Sequence, residues 1–221
     1  MTTPTVTAFP WVPEFARGLV RDIRIRWALE ELGRPYDVQL IEHADVKSAV
    51  YRRDWQPFGQ VPGYDDGTVR MFESGAILLR IAEDSGQLLG SDDQQKWTAI
   101  SWAIAILNTL EPHVFQLAST DTFHKGEAWT VERRPQVVQM IEKRLSEIAD
   151  ALGDADWLVG DFSIADILFH HALEAMRGSD IVEGFPTLVA YRERASDRPA
   201  YQRALNAQLS TFEKTDKEMA A

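Results

Sequence analysis

Two short residue pairs in this chain have the chemistry to hold a small ligand. Val61-Pro62 stands just ahead of a hairpin signal, and Glu73-Ser74 falls in the first turn of the helix predicted after it. A helix start collects backbone N–H groups that have no partner inside the helix, so it favours an anion. The same pair would also serve as an ordinary helix cap. Arg17, Arg21 and Arg24 recur at i, i+4 and i+7, which puts them on one face near the start of the first predicted helix. Cations are unfavourable there. The stack therefore calls either for an anion or for neutralisation by Glu14, Asp22 or another acidic side chain. Trp11 and Trp102 can line an apolar cleft between two halves of the chain or pack in the core. His170 and His171 are adjacent and would point about 100° apart on a helix, with no third ligand spaced to join them, so metal use is not expected. No Gly-rich phosphate loop and no Ser-His-Asp order stands out.

The elements that must position these residues follow from periodicity. Val6–Phe9 and Tyr36–Ile41 read as strands, and Phe15–Leu32 reads as a helix stopped by Gly33. A helical stretch spans Asp45–Arg53. Gln60–Tyr64 and Thr68–Phe72 flank Asp66-Gly67, the strongest short-range signal for a hairpin. From Ser74 the apolar positions Ile77, Leu78, Ile81 and Ala82 fall at helical spacing. The order β-α-β-α-β-β-α fits a small thioredoxin-like sheet over residues 1–84. A linker follows over 85–94.

Residues 95–221 read as all helix. Trp97, Ile100, Ile104, Leu107 and Val114 repeat at helical intervals, and a second long helix covers Glu132–Leu152. Ser163 and Asp166 form a capping box, with Phe162 facing Ile167 as a staple, so a buried helix should start there and both polar side chains are structural. Shorter helices are expected over Thr187–Ser196 and Ala200–Gln208. The last dozen residues are polar and expected to fray.

Composition narrows the function. The chain has 221 residues and a net charge of −11, which argues against broad contact with nucleic acid or an anionic membrane. No apolar run approaches a membrane span, and the start lacks the basic and apolar regions of a secretory signal, so a cytoplasmic protein is expected. There is no cysteine. A disulfide, a cysteine nucleophile and a thiolate metal site are thereby excluded, and any thiol chemistry must use a thiol brought by the substrate.

Val-Pro before a hairpin and Glu-Ser after it, joined to a helical half carrying Ser-Ile-Ala-Asp, resembles the cytosolic glutathione S-transferases, of bacterial type. The resemblance rests on PFGQVPGYDDGTVRMFESGAI and GDFSIAD, supported by RIRWALEELGRPYDV. It implies an α/β thioredoxin-like domain followed by an all-α bundle, a homodimer, and glutathione as co-substrate. It also implies that Pro62 is cis, that the main chain of Val61 pairs with the cysteinyl backbone of glutathione, and that Glu73 and Ser74 hold the γ-glutamyl end. Gln60 is then a side-chain contact. Arg52 and Arg53 either meet the glycyl carboxylate or form a solvated helix end.

Members of that family usually carry a tyrosine, serine or cysteine just after the first strand to serve the sulfur. Here Ala8–Gly33 has no such residue. Pro13-Glu14 stands about where Tyr-Phe is expected, although Ala16-Arg17-Gly18 resembles a motif of the tyrosine-type members. Two expectations follow. One is an enzyme that activates bound glutathione through helix-end N–H groups and Arg17 or Arg21, acting on a small electrophile by conjugation, peroxide reduction or isomerisation. The other is a glutathione-binding or protein-interaction module that has kept the fold and lost the chemistry.

Overall fold

The structure, a computed structural model, describes residues 2–219. Its chain divides into two compact units, Met1–Gly86 with Arg198–Ala221, and Gln87–Asp197. Strands β1 (Thr5–Ala8), β2 (Asp37–Leu40), β3 (Gly63–Asp65) and β4 (Arg70–Phe72) belong to the first, with helices α1 (Asp22–Glu31), α2 (Ala49–Asp54) and α3 (Ser74–Ser85). The second holds α4 (Asp93–Ala105), α5 (Glu111–Ala118), α6 (Ala128–Leu152), α7 (Ile164–Glu174) and α8 (Pro186–Ser196). The last helix, α9 (Pro199–Met219), returns to the first unit.

The sheet order is β2-β1-β3-β4. β2 runs parallel to β1, while β3 is antiparallel to both β1 and β4. A small mixed sheet followed by helices is the architecture expected of a thioredoxin-like domain joined to a helical one. Ile77, Leu78, Ile81 and Ala82 of α3 are all buried, as are Ile23, Ile25, Trp27, Ala28 and Leu29 of α1, and the two helices pack together. Burial of one such aliphatic side chain contributes about 1.5–3 kcal/mol, so this shared face holds α3 in place more than propensity does. In the second unit α7 is buried from Ile164 to Leu173.

Several boundaries differ from the sequence reading, each for a local reason. The first helix begins at Asp22, not Phe15: a 3-10 turn over Glu14–Ala16 comes first, and Gly18, with φ 79°, breaks the path. Arg17 therefore precedes the helix, and the expected arginine face does not form on one helix. The hairpin closes over Asp66–Val69, because the Asp66 carboxylate accepts from the N–H groups of Thr68 and Val69, each at 2.8 Å. The helix expected from Trp97 to Val114 is interrupted by a π-helical turn over Ile106–Leu110. Pro112, which has no N–H for the helical ladder, follows in the first turn of α5.

The end of the chain departs furthest. Instead of fraying after Gln208, α9 runs to Met219. Tyr201, Ala204, Gln208 and Phe212 continue its buried face. That face lies against α1, which is why the helix groups with the first unit and not with the helical remainder of 95–221. Trp27 meets the ring of Tyr201 at 4.8 Å. The carboxamide of Gln208 accepts from the Gly18 N–H at 3.1 Å and donates to Asp22 at 2.7 Å. Asp22 also bonds Arg26 at 2.7 Å, and all three side chains are buried.

Candidate functional site

The turn ahead of β3 is held by a relay of hydroxyl groups. The Gly63 N–H donates to Thr7 Oγ1 at 2.6 Å, and the Tyr51 hydroxyl donates to the Gln60 carbonyl at 2.8 Å. Thr7 and Tyr51 are themselves bonded at 2.9 Å. With the Tyr51 proton committed to Gln60, the proton between them must come from Thr7. The relay therefore runs from Gly63 through Thr7 and Tyr51 to Gln60. It clamps the chain on both sides of Val61-Pro62, whose peptide bond is cis. Burial raises the Tyr51 pKa, with the Thr7 bond opposing it, so the phenol stays protonated as the relay requires. Among the described residues no hydrogen bond uses the Val61 N–H or C=O. The Gln60 side chain is exposed and accepts from Gln56 at 3.4 Å.

The second part of the site is the start of α3. Glu73 sits at φ 70° and ψ 111°, its side chain exposed and making no capping hydrogen bond. A non-glycine residue held there costs about 1–3 kcal/mol, and such residues concentrate at ligand sites. Ser74, the first residue of α3, is buried, and its Oγ accepts from Nη1 of Arg24 at 3.0 Å. Arg24 is itself only 1% exposed. Burial lowers its pKa, the charge of Arg21 pushes the same way, and the Glu73 carboxylate opposes them. A guanidinium stays charged in proteins, so a buried positive charge lies beneath the helix start.

The remaining expected residues are dispersed. Arg17 pairs with Asp216 of α9 at 2.7 Å, and the Trp11 indole donates to the same carboxylate at 2.6 Å. Arg17 hydrogen bonding, followed by that from Trp11, lowers the Asp216 pKa. Arg17 is thus engaged with a carboxylate near the chain's end, a partner missing from the sequence reading. Arg21 is exposed at the N-cap of α1. Arg53 is exposed and bonded to its neighbour Asp54 at 2.6 and 2.8 Å, which lessens its availability to a ligand. Trp102, in the second unit, is half-buried and lines a cavity of about 190 Å³ with Ile106, Leu110, Arg144 and Ile148. Among the described residues no group of three or more His, Asp or Glu side chains gathers as a metal-binding set.

Chemically, the first unit offers an unpaired peptide edge at Val61, an acceptor at Glu73, and donors at Ser74 and the α3 start. A model of the glutathione S-transferase C-terminal domain matches residues 111–208. Glutathione S-transferase GstA of Escherichia coli O157:H7 is 30% identical over 159 residues, which is 69% of this chain and 75% of that protein. The chain belongs to the glutathione S-transferase family. Another relative, disulfide-bond oxidoreductase YfcG of Escherichia coli K12, is 30% identical over 143 residues, which is 63% of this chain and 65% of that protein. Among solved structures, a glutathione transferase from Burkholderia graminis, with two glutathione molecules bound per subunit, superposes with a TM-score of 0.82 at 24% identity. That alignment covers 92% of this chain and 88% of the other. A family member from Pseudomonas fluorescens, also with two glutathione molecules bound, gives 0.78 at 22% identity and covers 92% of each chain.

Thr7 and Tyr51 are the residues of the candidate site that the sequence reading missed. Thr7 and Tyr51 look like ordinary strand and helix positions. Arg24 was visible only as one of three periodic arginines, with nothing to single it out.

Proposed function

We propose that this chain binds glutathione in its first unit and acts through the thiol of the bound peptide on a small electrophile, by conjugation, peroxide reduction or isomerisation. The observation carrying this reading is the open start of α3, where Ser74 is the first helical residue and Glu73 makes no cap. In the proposed pose Ser74 and the helix N–H groups donate to the γ-glutamyl carboxylate, and Glu73 accepts from its ammonium. The cysteinyl main chain pairs with Val61 beside Pro62, and Gln60 flanks it. Arg53 would reach the glycyl carboxylate only by exchanging Asp54 for it. The glutathione-bound relatives support the choice of ligand.

For the thiol, the first loop supplies no hydroxyl, and the Asp216 pair offsets the charge of Arg17. The proposal therefore keeps backbone N–H groups and Arg21 as the groups that lower the thiol pKa from about 8.5. Trp11 and Trp102 are proposed contacts for the electrophile. We also place the protein in the cytoplasm as a homodimer, which sedimentation checks as a mass near twice the 25.0 kDa of one chain.

Calorimetry with glutathione tests binding, and ultraviolet difference absorption of the thiolate tests activation. The enzyme reading requires thiolate below the pH at which free glutathione ionises. Binding without thiolate supports the alternative, a non-catalytic glutathione-binding or interaction module, which the bare first loop and the occupied Arg17 favour. Absence of binding removes both.

A further inference from the structure

We propose that Arg24 is a positioning residue that makes Ser74 an obligate hydrogen-bond donor, so that the start of α3 selects thiol peptides bearing a carboxylate on the γ-glutamyl end. The inference rests on the glutathione reading above and deepens it by naming what that end must carry.

A serine hydroxyl has one proton and two lone pairs, and a guanidinium has donors only. With Nη1 of Arg24 donating into the Ser74 oxygen at 3.0 Å, the serine proton cannot point back at Arg24. It must be offered elsewhere, and Ser74 opens α3, whose first N–H groups are also donors. An acceptor satisfies this arrangement and an ammonium does not. The neighbouring Glu73 carboxylate has the opposite preference. Two consecutive residues thus read opposite ends of an α-amino acid head group, and Arg24 is what fixes the sense of one of them.

The burial of Arg24 strengthens the argument. Arg24 is 1% exposed. A ligand carboxylate at Ser74 would add negative charge above this buried guanidinium, in surroundings that water screens poorly. Loss of that carboxylate should therefore cost more affinity when Arg24 is present than when it is absent.

The experiment compares glutathione with γ-aminobutyryl-cysteinyl-glycine, which lacks only the γ-glutamyl α-carboxylate, by calorimetry on the full chain. The parent should prefer glutathione roughly ten-fold or more. Arg24→Met should weaken glutathione about ten-fold and leave the decarboxylated peptide nearly unchanged, which closes the preference. Arg24→Lys should restore part of it. Arg24→Met should weaken glutathione by a smaller factor in the Ser74→Ala background than in the parent, because part of the arginine's effect passes through the serine. If Arg24→Met does not fold, Arg24→Lys and Arg24→Gln carry the same comparison of two ligands, a ratio that general destabilisation does not alter. Equal weakening of both peptides, or of neither, in a parent that binds glutathione overturns the role of Arg24 and leaves the glutathione site standing. A parent that binds neither peptide overturns the site itself and this inference with it.

Discussion

The chain uses serine beside an acidic residue at two helix starts, and the structure treats them in opposite ways. At the start of α7 the pair closes on itself. Ser163 accepts from the Ala165 N–H, while Asp166 takes the Ser163 N–H at 2.8 Å, the Leu158 N–H at 3.0 Å and the Tyr191 hydroxyl at 2.6 Å. Both side chains are 0% exposed. At the start of α3, Glu73 points outward from a positive φ and makes no cap, and the Ser74 hydroxyl accepts from Arg24 at 3.0 Å. A closed helix start contributes to stability and has nothing left to offer a ligand. An open one gives up that contribution and leaves helix N–H groups and the exposed Glu73 carboxylate without a cap between them. Substitutions at the first should therefore be read in unfolding experiments, and at the second in binding experiments.

The largest expected effect breaks the closed end. Asp166→Ala would strand buried donors from Leu158, Ser163 and Tyr191, so stability should fall by about 3 kcal/mol or more in urea unfolding. A loss under about 1 kcal/mol would mean that the box is dispensable.

Next comes acid. His170, buried in α7 and bonded to Ser196 at 2.9 Å, has its pKa pushed down to about 3, first by burial and then by Arg192. In the unfolded chain the ring titrates near 6.5, so as pH falls the unfolded state takes up the proton first. The stabilisation is complete above about pH 6.5 and is lost progressively between about 6.5 and 3, at up to about 1.4 kcal/mol per pH unit. Between pH 7 and 5 the parent should lose about 2 kcal/mol more than His170→Gln does. Parallel pH curves for the two proteins would remove His170 from the account.

The open end should respond in affinity. Glu73→Gln is expected to weaken glutathione roughly ten-fold while the melting temperature of the free protein stays put, since the side chain is exposed and caps nothing. Ser74→Ala should weaken binding similarly but also lower the melting temperature, because Arg24 loses an acceptor. If Glu73→Gln lowers stability and spares affinity, the two helix starts are alike after all.

The smallest effect concerns the loop between β1 and α1. Asp216→Asn should leave the melting temperature almost unchanged, because the Arg17 pair is partly exposed. Amide exchange across Phe9–Gly18 should nevertheless quicken, since Trp11 and Arg17 both lean on that carboxylate. Unchanged exchange would show that the loop is held by its other bonds, from Thr215 to the Pro10 carbonyl at 2.9 Å and from the Gly18 N–H to Gln208 at 3.1 Å.

Where the structure agrees with the sequence, the deciding interactions are local. The capping box joins residues three apart, the apolar stripe of α3 recurs at helical intervals, and the hairpin signal lies in one short segment. Each carries its own physics in a few consecutive side chains. The first helix was misplaced because the apolar pattern runs back through Leu19 and Phe15, whereas a positive φ at Gly18 and the Gln208 carboxamide decide where it begins. The end of α9 was misjudged because Thr215 and Asp216 look like solvated residues until Pro10, Trp11 and Arg17 are brought beside them.

The sequence by itself determined the element order, the closed start at Ser163 and the position of the open one at Glu73-Ser74. What each charged side chain holds was decided only by the tertiary structure. Arg24 finds Ser74 across 50 positions, Tyr51 finds Thr7 across 44, and Arg17 finds Asp216 across 199. A guanidinium donates to any carboxylate or hydroxyl oxygen that comes within about 3 Å, and the acidic chain offers many. Spacing along the sequence cannot rank them, because the choice is made by which backbone segments pack together.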